Sequence, residues 1–291
     1  MGLGKGEGQV SHSTGTEHQP RIALLIDADN APAELIDEIL TELSTLGVIN
    51  IRRAYGNWTK AGLMGWQERL LEFAIRPMQQ FDYSKRTNAS DMAMTVDAME
   101  LLYTERPDAY GSVSSDADFT PLVMHLRATG AAVYGFGAAQ TPKPFVNACS
   151  RFLYLEALAA AHAEAEGDTA GVPQAPADAP PPVASSANAP PRPPAAASLE
   201  RRVRVPTAKL RQDTALMNLL RDAVHAVADE AGWAKVGAVG TQISNKASFD
   251  PRNYGYATLS KLLAALDAFE WRDEGTSRVA VRDKRVRAGA P

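Results

Sequence analysis

One cysteine, Cys149, stands in a chain of 291 residues. That excludes a disulfide framework and any zinc site built on cysteine ligands. It fits a reducing compartment, so a cytoplasmic location is expected, with Cys149 a small buried apolar residue. No run of about 18 apolar residues occurs, which argues against a membrane-spanning helix. The first twenty residues are rich in Gly, Ser and His, lack the apolar centre of a secretory signal, and are expected to be disordered. No Ser-His-Asp or Cys-His set is legible either, so a nucleophile of that kind has no support. The chain is not short of core, however: 45% of its residues are hydrophobic and 22% charged, which argues against global disorder. Nor is it uniform in charge. The net value of −4 divides into 13 Lys/Arg against 21 Asp/Glu over residues 1–166, and 16 against 10 after Glu200. An acidic first half beside a basic second half says more than one average does.

Composition breaks between residues 167 and 198, where nine of the 19 prolines fall among Ala and Ser with almost no charge. Such a segment cannot bury a core and is expected to act as an extended tether. The division that follows is 1–20, a first domain at 21–160, a Pro/Ala-rich linker at 161–205 and a second domain at 206–287. In the first domain, apolar runs alternate with helical periodicity. Strands are predicted at Ile22–Asp27, Ile51–Trp58, Ile75–Phe81, Ala109–Ser115 and Ala132–Phe136, with a short last one at Arg151–Leu155. Helices are predicted near residues 32–47, 66–73, 91–103 and 119–128. This alternation predicts an α/β fold, a parallel sheet sandwiched by helices. After the linker, helices at 213–231, 236–245 and 256–266 precede a hairpin of Phe269–Arg272 and Arg278–Arg282. That is the order of a winged helix-turn-helix.

Two acidic clusters lie where apolar strands give out. One is Ile22-Ala-Leu-Leu-Ile-Asp27-Ala-Asp29-Asn30; the other is Tyr110-Gly-Ser-Val-Ser-Ser115-Asp116-Ala-Asp118. A third acid, Asp91, opens the helix between them. Ligands of open α/β sheets bind beyond the carboxyl ends of the strands, so these carboxylates are expected to converge. Packed together they repel, and a divalent cation removes that cost. Oxygen-only ligands suit Mg²⁺ or Mn²⁺ and disfavour zinc. Taken singly, each acid is also a good helix N-cap. Asp97, about 600° further along the third helix, is expected behind the site or as a polar core residue. Lys85 and Arg86, in the loop before Asp91, would clamp a flanking phosphate or stand as solvated loop charges. Arg52 would contact a phosphate, and Trp58 would stack a base or pack in the core.

The pieces IALLIDADN, RRAYGNW, KRTNASDMAMTVDAME and SSDADFTPLV with GAAVYGFG resemble an NYN domain, the LabA-like branch of the PIN-fold nucleases, over residues 21–158. The resemblance implies a metal-dependent endoribonuclease. It would make Asp27, Asp91 and Asp116 the catalytic, metal-binding acids, with Asn30 a supporting group and Asp118 a further acid. Residues 216–282, with GWAKVGAVGTQISNKASFDPRNYGYATLSKLLAAL and FEWRDEGTSRVAVRD, resemble a LOTUS (OST-HTH) domain. That implies RNA binding, with helicase or structured-RNA partners in the wider family. Lys246, Arg252, Tyr254 and Lys261 would form a basic surface interleaved with aromatics, or else Tyr254 and Tyr256 pack the core and the cations are ordinary solvated residues. A protein partner at this domain and self-association of the chain stay open. Two rival readings stand beside the nuclease. One is an RNA-binding adaptor that keeps the fold without turnover. The other is an aspartate-based phosphatase, suggested by Asp27-Ala-Asp29 after an apolar strand; the Asn30-Ala31-Pro32 that follows fits it poorly.

Overall fold

A computed structural model describes residues 19–81, 89–160, 205–276 and 278–286. The first domain is a six-stranded, wholly parallel sheet: β1 (Arg21–Asp27), β2 (Val48–Gly56), β3 (Arg76–Gln79), β4 (Ala109–Val113), β5 (Ala132–Gly137) and β6 (Arg151–Tyr154). Their order across the sheet is β3-β2-β1-β4-β5-β6. The chain moves outward from β1 in one direction, then returns to its other side with β4. The switch point of the topology therefore lies between β1 and β4, where a crevice opens beyond the strand ends.

β1 is buried on both faces, as its unbroken apolar run requires. Ile22, Leu24 and Ile26 pack to one side with α1 (Ile36–Ser44) and α2 (Trp66–Glu72). The helix α6, which starts at residue 155 and runs through 160, adds Leu155 and Leu158 to that layer. Ala23 and Leu25 face the other side, against α3 (Ala89–Thr104), α4 (Thr120–Ala128) and α5 (Lys143–Ala148). Full burial of each large aliphatic side chain contributes about 1.5–3 kcal/mol, so the strand carrying Asp27 is among the best-fixed parts of the fold. Helix α5 has no counterpart among the predicted elements. Its six residues hold a proline and show no apolar period, although Phe145 and Val146 are buried.

The second domain holds α7 (Thr207–Gln212), α8 (Thr214–Ala226), α9 (Val236–Lys246) and α10 (Leu259–Leu266). A three-stranded antiparallel sheet of order β7-β9-β8 follows the winged pattern, with β7 (Ala234–Lys235), β8 (Phe269–Arg272) and β9 (Ala280–Asp283). The two-residue strand β7 is an addition to the expected elements. Helix α8 ends at Ala226, five residues before the predicted stop. There the Asp229 carboxylate accepts the Ala231 and Trp233 amides and turns the chain. Thr258 caps α10 through the Lys261 amide, which moves that helix start to Leu259. No described helix is long and apolar enough to cross a membrane.

Candidate active site

The crevice at the switch point gathers carboxylates from three elements. Asp27 is the last residue of β1 and only 1% exposed. Its Oδ2 accepts hydrogen bonds from Asn30 Nδ2 (2.9 Å) and Ser114 Oγ (3.1 Å), while its buried Oδ1 has no hydrogen-bond partner among the described residues. Burial pushes the Asp27 carboxyl up; the Asn30 and Ser114 bonds oppose that, and the charges of Asp29 and Asp116 add to it. Asp91, in the first turn of α3, is pushed up to about 6. Burial is the main cause, followed by the like charges of Asp27, Asp116, Asp29 and Asp118. The charges of four other acids therefore all act on Asp91.

Two of the acids also have a local task. Asp116 N-caps the 3-10 turn Ala117–Phe119, with Oδ1 accepting the Asp118 amide at 2.8 Å. Asp29 accepts from Lys60 Nζ (3.2 Å) and from Ser90 Oγ (2.9 Å). Asn30 and Asp118 are exposed. Among the described residues, no three Asp, Glu, His or Cys side chains stand close enough, as placed, to hold one ion. The donor set still suits a hard cation. It consists of carboxylate oxygens, one of them buried without a partner among the described residues, in a field of like charge that a cation would relieve.

Ser114 is the residue that sequence reasoning passed over. It is 2% exposed, donates to Asp27 and accepts the Asp116 amide at 3.1 Å, so it ties the ends of β1 and β4 together. Its neighbour Ser115 accepts the Ala138 amide at 2.8 Å. Gly137 at the end of β5 is part of the same packing: a Cβ there would come within 2.6 Å of the Ser114 carbonyl oxygen.

The expected RNA contacts divide. Lys85 and Arg86 lie outside the described residues. Arg52 donates to the Phe73 carbonyl at 2.8 Å and so ties β2 to the end of α2. Trp58 packs partly against the core, with its amide on Gln79 Oε1. Asp97 is a polar core residue, accepting from both Arg53 and the Tyr55 hydroxyl on β2. In the second domain Lys261 is exposed, and Lys246 reaches Asp222 at 2.7 Å. Tyr254 stacks on Phe249 and is pushed up to about 12 by burial. Arg252 faces not solvent but Glu42 of the first domain. A stacked group absent from the expectations occurs beside the hairpin, where the Arg272 and Arg282 guanidinium carbons each lie 4.8 Å from the Trp233 ring centroid.

Family models match both domains. The NYN domain family matches residues 21–156, and the OST-HTH/LOTUS domain family matches residues 211–281. An uncharacterized protein of Methanocaldococcus jannaschii is 34% identical over 122 residues, which are 40% of this chain and 48% of that protein. The chain thus spans about half of that relative's length. A crystal structure of a protein of unknown function from Vibrio parahaemolyticus aligns with a TM-score of 0.40 at 18% identity, over 48% of this chain and 94% of that one. A parallel sheet flanked by helices, then a winged domain, each under its own family match, make this chain a PIN-like NYN domain followed by an OST-HTH/LOTUS domain.

Proposed function

We propose that the chain is a divalent-metal-dependent endoribonuclease whose NYN domain cleaves RNA and whose LOTUS domain helps to hold it. The observation that supports this reading is the like charge of four other acids acting on Asp91, with a buried Asp27 oxygen that has no partner among the described residues. Asp27, Asp91 and Asp116 would hold Mg²⁺ or Mn²⁺, with Asp118 and Asn30 at the rim. Bound there, the cation supplies charge neutralisation at the scissile phosphate and a more acidic water. The protein's own part is placement. Asn30 and Ser114 fix the Asp27 carboxylate, Ser114 and the Asp116 cap fix the β4 end, and Lys60 offsets Asp29 at the mouth.

A second reading, an RNA-binding adaptor without turnover, draws on one observation: as placed, the described acids do not close into a three-ligand set. One experiment decides between them. Full-length protein is incubated with labelled single-stranded RNA and Mn²⁺, beside Asp27→Asn and Asp91→Asn. The nuclease reading expects endonucleolytic products from the parent chain alone, abolished by EDTA. Tight RNA binding with no cleavage by the parent chain would establish the adaptor instead.

A further inference from the structure

β6 is the last strand of the sheet, paired with β5 on one side. On its other side it meets the segment Asp250-Pro-Arg-Asn-Tyr254 of the LOTUS domain, a 3-10 turn closed by Gly255 at φ 80°. Asn253 places its side-chain amide where a neighbouring strand would run. Its Nδ2 donates to the Phe152 carbonyl (2.9 Å), and its Oδ1 accepts the Tyr154 amide (3.0 Å). Beside it four charges form a closed ring. Arg252 makes a two-pronged contact with Glu42 at 2.7 and 2.8 Å, and reaches Asp250 at 2.9 Å. Arg151 reaches the same Asp250 oxygen at 2.7 Å and closes the ring on Glu42 at 3.3 Å. Each domain contributes one acid and one base: Glu42 and Arg151 from the first, Asp250 and Arg252 from the second.

We propose that in the free protein the LOTUS domain is docked in cis on the β6 edge by this ring and by Asn253, and that docking is the role of Arg252 and Asn253. The inference goes beyond the nuclease reading and holds whether or not the NYN domain cleaves RNA. Three physical points carry it. The Asp250 side chain is fully buried, and a carboxylate is buried only when its charge is answered, here by two guanidinium groups. Burial alone would push Asp250 up, yet the Arg252 hydrogen bonds and both arginine charges hold it below the usual carboxylate range. Glu42 is held low chiefly by its Arg252 hydrogen bond, so the ring stays charged at neutral pH. The β6 edge, whose unpaired amides would otherwise invite another chain, is covered by groups that match it. Finally, 44 residues join Ala160 to Val205, which makes this contact an intramolecular one with a high effective concentration.

The test is amide hydrogen exchange on the full chain, with molar mass measured by light scattering at two concentrations. In the parent protein the Tyr154 amide should be protected in a monomer. Asn253→Ala and Glu42→Gln, one in each domain, should each speed its exchange by roughly a hundredfold, as expected for a broken buried contact. Amides that bond β5 to β6 and those inside the LOTUS core should keep their rates, which shows both domains still folded. A parent Tyr154 amide that exchanges as fast as a free edge amide overturns the proposal, as does protection unchanged in both variants. Protection that appears only in a concentration-dependent dimer overturns docking in cis and assigns the contact to two copies.

Discussion

Replacing Asp91 by Asn should stabilise the metal-free protein while removing activity. Asp91 titrates near 6 in the folded chain, against an ordinary value of 3.8. Because the folded value is the higher one, the native state keeps a proton through that window that the unfolded chain has already lost. Stability attributable to this group therefore falls as pH rises from about 4 to about 6, and the cost persists above it. Two pH units correspond to at most roughly 3 kcal/mol. Asp91 is only partly buried, so water screens much of this, and its place in the first turn of α3 favours the carboxylate by about 0.3–1 kcal/mol. About 1 kcal/mol should remain, or about 3–5 °C in thermal unfolding. In EDTA at pH 8, Asp91→Asn should therefore melt later than the parent; at pH 4 the two curves should draw together. Saturating Mn²⁺ should raise the parent by about 2–3 kcal/mol, as ligand binding to the native state alone requires, and raise the variant much less. Melting curves that coincide in EDTA at pH 8, or a gap of equal size at pH 4, would refute the like-charge account of the crevice.

Four further outcomes follow from the same geometry. Ser114→Ala leaves a buried Asp27 oxygen and the Asp116 amide with one partner fewer, and should cost about 1–3 kcal/mol in denaturant unfolding while lowering RNA cleavage. Gly137→Ala drives a methyl into the Ser114 carbonyl and should cost about 1–3 kcal/mol, with cleavage reduced alongside stability. Deleting residues 199–291 should raise the apparent KM for RNA far more than it lowers turnover; it should also uncover β6 and produce larger species in light scattering. Lys261→Ala should flatten the salt dependence of RNA binding by about one unit of slope if its exposed ammonium meets a phosphate.

What the sequence made legible was local. An apolar run ending in Asp27, the same pattern ending near Asp116, and Asp91 at a helix start are each contained within a dozen residues. The alternation of elements then dictates that their ends share one side of a parallel sheet. What stayed hidden was relational. Ser114 and Ser115 are neighbours of one type just past β4, and only the path of the chain there decides which of them meets Asp27. Arg53 and Asp97 lie 44 positions apart, and nothing near either residue marks the other as its partner. Arg252 and Asn253 sit in a basic, aromatic stretch that reads as a nucleic-acid surface. Their partners Glu42 and Phe152 are 210 and 101 positions away. Charge in a sequence shows that a group needs an answer, but a fold shows which group supplies it.

The double duty of Asp116 governs how the crevice can be dissected. Its carboxylate both faces the other acids and anchors the turn that begins at Ala117. An alanine there would remove an anion and unfasten a helix start together, so a dead variant would say nothing about chemistry. Asparagine serves as a cap nearly as well as aspartate does. A chain carrying it would keep the turn while shedding only the negative charge, which makes the amide, not the methyl, the informative replacement at this position.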